Sequence, residues 1–116
     1  MSKLNICIAG LGNVGSALVE TIEENKNYFL EKTDAINLFK DLQKIHPFIK
    51  YIDNDETLDF FSVQNSNYCK IKIFNHHSED KIIIVSAIDN LIKGAAGQAV
   101  QCFNIAENIQ ETVSLV

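Results

Sequence analysis

The chain has 116 residues, 47% of them hydrophobic, enough for one core of ordinary size and too few for two independent domains. Its formal net charge is -5, and its 10 Lys and Arg residues are scattered without a run, which argues against a nucleic-acid backbone as partner. The longest apolar stretch, Ile82 to Ile88, is far short of a membrane span, the N-terminus lacks a secretion pattern, and the three cysteines lie far apart; a cytoplasmic protein with reduced thiols is expected.

Leu4 to Ala9 is a nearly continuous apolar run ending at a glycine, as expected of a central strand covered on both faces. Val14, Ala17, Leu18, Thr21 and Ile22 then recur at helical spacing, with Glu20, Glu23 and Glu24 opposite, so a helix packs on that strand. A second helical pattern runs through Ala35, Leu38, Phe39, Leu42 and Ile45, with Asp34 placed as its cap and Pro47 as its stop. Ile36 to Leu38 also alternates like a strand, leaving its start ambiguous. Phe48 to Ile52 reads as a strand, followed by the polar loop Asp53 to Glu56.

From Tyr68 to Phe74 the residues alternate, with Cys69, Ile71 and Ile73 on one side and Lys70 and Lys72 on a wet one. The turn through His76, His77, Glu79 and Asp80 leads into Lys81 to Ile88, whose unbroken Ile-Ile-Ile-Val centre predicts a strand covered on both faces and a hairpin with its predecessor. A last helix, from Ala95 to Asn108, distributes Ala96, Ala99, Val100, Phe103, Ile105 and Ala106 around it, so burial on more than one side is expected. The fold class is α/β, a mixed sheet with flanking helices: a Rossmann-like strand, glycine turn and helix (1–34), then a hairpin and a buried C-terminal helix (35–116), in one compact domain.

Gly10-Leu11-Gly12-Asn13-Val14-Gly15 satisfies G-x-G-x-x-G between a strand and a helix. Gly10 permits the tight turn, Gly12 lets the backbone approach a pyrophosphate and Gly15 allows close packing. Phosphate would sit on the helix N-terminus, among Asn13, Val14 and their neighbours. Glu31 and Asp34 stand at the distance of a ribose-binding acid but follow no convincing strand, and are read as solvated charges. Ile8 to Leu18 in particular resembles the opening of homoserine dehydrogenase, and its spacing differs from the G-x-x-G-x-x-G usual in the next family.

The order of Pro47-Phe48-Ile49, Asn65-Ser66-Asn67-Tyr68-Cys69, Ile84 to Leu91 and Lys93-Gly94-Ala95-Ala96-Gly97-Gln98 resembles the C-terminal part of N-acetyl-gamma-glutamyl-phosphate reductase. That resemblance implies NADP, with NAD as the alternative, and arginine biosynthesis. It also implies that Gly94, Gly97 and Gln98 help form the nicotinamide side of a cofactor site. Small residues there permit close approach by a ligand or another backbone; a helix packed tightly on a sheet is the purely structural reading. Cys102 and Phe103 stand where that family usually has Asn and Met, and Asn108-Ile109-Gln110 where a Gly-Leu-Pro turn is usual.

Such reductases are expected to use a cysteine thiolate activated by a neighbouring base. The motifs that carry that cysteine and its histidine partner do not occur in this chain, so no catalytic residue is assigned. Cys7 is expected in the core, Cys69 matches a position other than the nucleophile, and Cys102 is expected to be buried on the last helix. The residues from His76 to Asp80 read as a solvated turn, His46 as a helix end, and Asp53, Asp55 and Glu56 as a solvated loop, so no metal site is assigned. The expected protein is therefore reductase-like, truncated or fused, and without independent catalysis. The alternative is a noncatalytic module that binds a nucleotide or oligomerises, as a homo-oligomer or with a partner chain.

Overall fold

The computed structural model describes residues 5–7, 32–53, 55–75, 77 and 81–116. The glycine turn, the helix expected after it and Glu31 lie outside the described residues. The described chain falls into two compact units, one holding residues up to 38 with 73–85, the other 39–72 with 86–116.

In the first unit, β1 (Asn5–Cys7) runs parallel to β4 (Lys81–Ile88), with Ile6 opposite Ile82. In the second, β2 (Ile49–Tyr51) runs parallel to β3 (Cys69–Asn75), with Lys50 opposite Lys70. The strand order is β1-β4-β3-β2. β3 and β4 are neighbours joined by five residues, too few for a parallel crossover, so they form the expected hairpin and the sheet is mixed. β1 stands at one end of the order of the described strands.

α1 (Lys32–Ile45) begins two residues before Asp34. Asp34 therefore sits in the first helical turn, where its charge suits the dipole, and is not the cap the sequence suggested. Ala35 and Phe39, one turn apart, are buried, and Leu42 half-buried, while Lys40, Asp41 and Lys44 face solvent or its edge. The His46 N–H closes the last turn onto the Leu42 carbonyl before Pro47 stops it.

The alternation of β3 holds on one face, where Cys69, Ile71 and Ile73 are buried. Lys72 is not on a wet face: it is buried and donates from Nζ to the Glu56 carbonyl, a loop acceptor 16 residues away that no strand pattern reveals. In β4, Ile82 is buried but Ile83 and Val85 are exposed, so the strand is open on one side. Its apolar run reflects strand propensity as much as burial.

After β4 the backbone makes one wide turn, Ile92–Ala96, in which Ala96 and Gly97 donate to the carbonyls of Leu91 and Ile92, five residues back. It leads directly into α2 (Gly97–Ala106). The expectation that this helix is buried on several sides is overturned: Gly97 and Asn104 are its buried residues, while Val100, Cys102, Phe103 and Ile105 are exposed. Among the described residues no helix is long and apolar enough to cross a membrane.

Candidate functional site

Every group of this site lies in the second unit, at the junction of β4 and α2. Asp89 ends β4 and is buried. Its Oδ1 accepts the N–H groups of Leu91 (2.8 Å) and Ile92 (3.2 Å), and its Oδ2 accepts that of Asn65 (2.8 Å). Three N–H donors aimed at one carboxylate stabilise its charged form. They hold the Asp89 carboxyl below its ordinary range, the Asn65 and Leu91 bonds most, against a smaller opposing effect of burial. Asn65 offers its N–H from a left-handed conformation, φ 58°, which asparagine tolerates better than most side chains.

A helix start presents unpaired N–H groups and favours an anion. Here that anion is the chain's own Asp89. An external phosphate therefore has no claim on the Leu91 and Ile92 N–H groups.

Gly97 faces Asn67 across this turn. A Cβ on Gly97 would lie 2.4 Å from Asn67 Oδ1 and 2.8 Å from Ile92 Cγ2, so no side chain fits. The close approach that the sequence required at Gly97 is made by Asn67. Gly94 is exposed, and a Cβ there would come within 3.0 Å of Asn90 Oδ1. Gln98 is half-buried and donates through Nε2 to Cys102 Sγ at 3.4 Å. Of the expected cofactor-binding residues, Gly94, Gly97 and Gln98 thus share one turn, while Gly10, Gly12, Asn13, Val14 and Gly15 lie outside the described residues.

Behind Gly97 runs a polar chain that the sequence did not suggest. Asn67, fully buried, donates through Nδ2 to Gln101 Oε1 at 2.9 Å. Lys93 Nζ donates to the same Gln101 oxygen at 2.6 Å, and Gln101 Nε2 donates to Glu111 Oε1 at 2.5 Å. An ammonium only donates and a carboxylate only accepts, so the Gln101 amide is pinned, which in turn fixes the Asn67 amide. Asn67 Oδ1 is left without a hydrogen-bond partner, turned toward Gly97. One turn further, Asn104 Nδ2 donates to the carbonyls of Glu111 and Val113 and ties down the final segment.

The Lys93 ammonium also lies 5.5 Å from the centre of the Phe48 ring. Partial burial lowers its pKa, with Cys69, Glu111 and Cys102 opposing that effect. Burial raises the pKa of the Cys69 thiol, with Lys93 pulling the other way. Cys69 therefore stays a neutral thiol at neutral pH and a poor nucleophile, as the sequence implied. Cys102 is exposed, contrary to expectation, because it stands on the outward face of α2. Among the described residues no three His, Cys, Asp or Glu side chains are grouped to hold a metal ion.

The sequence carried one signal for this network: Asp89 stands two and three residues before the N–H groups it binds, the spacing of an acid that turns a chain into a helix. Nothing local announced the Asn67 to Gln101 bond, which spans 34 residues.

Residues 9–90 match the family model described as semialdehyde dehydrogenase, dimerisation domain. The chain belongs to this family. The N-acetyl-gamma-glutamyl-phosphate reductase of Methanosphaera stadtmanae is 39% identical over 98 residues, 81% of this chain and 29% of that protein. The reductase of the same name from Brachyspira hyodysenteriae is 41% identical over 92 residues, 79% of this chain and 26% of that one. That of Staphylococcus saprophyticus is 35% identical over 99 residues, covering 85% and 29%. The chain thus spans less than a third of the length of these relatives. The matched family segment ends at Asn90, just after the Asp89 carboxylate, so the wide turn and α2 follow it.

Proposed function

We propose that the chain is an N-acetyl-gamma-glutamyl-phosphate reductase-like polypeptide of arginine biosynthesis that binds an NADP-type dinucleotide and does not turn over substrate alone. The turn from Asp89 to Gln98 carries this reading. Gly94 and Gln98 would offer the nicotinamide side of the cofactor a backbone and an amide, and Gly97 would set their position through its packing on Asn67. The pyrophosphate would go to Gly10, Gly12, Asn13, Val14 and Gly15, since Asp89 fills the anion position at the start of the later helix. Support comes from the similarity to three reductases of that name. The absence of a motif for a thiolate nucleophile and the neutral, buried Cys69 support a chain without independent catalysis.

Calorimetric titration of the full chain with NADPH, with NADH as the comparison, tests the reading. Saturable binding that prefers NADPH is expected, and Gly12→Val should abolish it while leaving the circular dichroism spectrum unchanged. A folded wild-type chain that takes up neither nucleotide would overturn the cofactor assignment. Reduction of the acyl phosphate by the purified chain would overturn its lack of catalysis. The description of the matched family favours a second reading, a noncatalytic module that pairs with a second copy; it predicts a dimer with no nucleotide affinity.

A further inference from the structure

Lys93 and Gln101 stand on either side of Gly94, Gly97 and Gln98, and their side chains clamp that stretch: Lys93 Nζ donates to Gln101 Oε1 at 2.6 Å, across eight residues. Gly97, Gln101 and Asn104 follow one another a turn apart along one side of α2. Gln101 is the hub of that side, because its oxygen also accepts from Asn67 Nδ2 and its nitrogen donates to Glu111. Accepting from two donors while donating to a carboxylate is a task for an amide. An ammonium cannot accept, and a carboxylate cannot donate.

Glu111 is itself held in place. The chain turns after α2 through Asn108, φ 54°, a left-handed conformation that asparagine tolerates, and the Ile109 N–H donates back to the Asn104 carbonyl at 2.8 Å. Asn104 Nδ2 then ties the Glu111 and Val113 carbonyls. The consequence falls on Asn67. With Nδ2 drawn to Gln101, its Oδ1 points onto Gly97, although it finds no hydrogen-bond partner there. A buried acceptor left unpaired is costly. Turning the Asn67 amide over would not relieve that cost, since two oxygens would then face each other at Gln101.

We propose that Gln101 is a positioning residue for the cofactor turn: held between Lys93 and Glu111, it keeps the Asn67 carbonyl on Gly97 and so fixes where Gly94 and Gln98 stand toward a nicotinamide. This rests on the reading that those residues face the nicotinamide side of an NADP-type dinucleotide. In this role Gln101 meets no cofactor atom; it acts through Asn67 and Lys93.

Titration of full-chain variants with NADPH and with the adenosine bisphosphate fragment of NADP, which lacks the nicotinamide, tests the proposal. Gln101→Met keeps a long unbranched side chain and removes its amide. It should weaken NADPH binding at least about tenfold and leave affinity for the fragment unchanged. Gln101→Glu alone sets two carboxylates against each other and should also weaken NADPH binding, so the test does not depend on how well the methionine variant folds. Gln101→Glu combined with Glu111→Gln restores each donor and acceptor in exchanged places. That pair should bring NADPH affinity back to within about twofold of the wild type. NADPH affinity untouched by both single substitutions, an equal loss of both ligands, or a double variant no better than Gln101→Glu would overturn the inference. In each of these cases the wild type binds NADPH, so the cofactor reading survives. A wild type that binds no NADPH would overturn both.

Discussion

The two described helices solve the same problem in opposite ways. α1 is placed by its apolar side: Ala35 and Phe39 go in, and lysines and aspartates stay near water. α2 is placed by its polar side: Gln101 and Asn104 are hydrogen-bonded inward, and Phe103 and Ile105 are left outside. The contrast teaches that a helix's buried face is the one with partners in the same chain. Hydrophobicity identifies that face in α1 and not in α2.

The contrast can be broken from either end. Phe39→Ala should have the largest effect, about 3–5 kcal/mol lost in urea unfolding, because it empties the inward side of α1. Gly97→Ala comes next, at about 1–3 kcal/mol, because the added methyl meets Asn67 Oδ1 and Ile92 at distances that force one of them to move. A Gly97→Ala chain as stable as the wild type would show that the Asn67 contact does not place α2.

The third effect is smaller and depends on pH. The folded pKa of Asp89 lies below the ordinary 3.8, so its stabilising contribution is present above that value and is lost as pH falls through the folded pKa. The gap in unfolding midpoint between wild type and Asp89→Asn should therefore be widest near neutrality and close in strong acid. A gap that did not change with pH would mean that the carboxylate charge is irrelevant to holding the turn.

How legible the molecule was depends on how far each interaction reaches along the chain. The buried side of β3 followed from alternation, and the α1 face from Ala35 and Phe39, because both are local periodicities. Lys72 escaped because its acceptor is a carbonyl of a loop 16 residues earlier. α2 was located but expected to be buried on more sides than it is, since the groups that orient it, Asn67 and Glu111, are remote from it or beyond its end. In the candidate site, the need for small residues at Gly94 and Gly97 was readable, whereas the Asn67 amide that fills the space beside Gly97 was not. The acid that closes the helix start was readable only as spacing, because a carboxylate binding Leu91 and Ile92 leaves no composition signal.

The wide turn from Ile92 to Ala96 has a consequence for how this segment can change over time. Such a turn holds one residue more than an ordinary helical turn, so it acts as an inserted tick in the helical count. Losing a single residue between Lys93 and Ala96 would let the same N–H and C=O groups close an ordinary turn, so the helix after it would keep its phase. Gly97, Gln101 and Asn104 would stay turned toward their partners, whereas one residue lost within α2 would rotate those beyond it by about 100°. The wide turn is therefore where this segment tolerates a change of length, and the ordinary winding of α2 is where it does not.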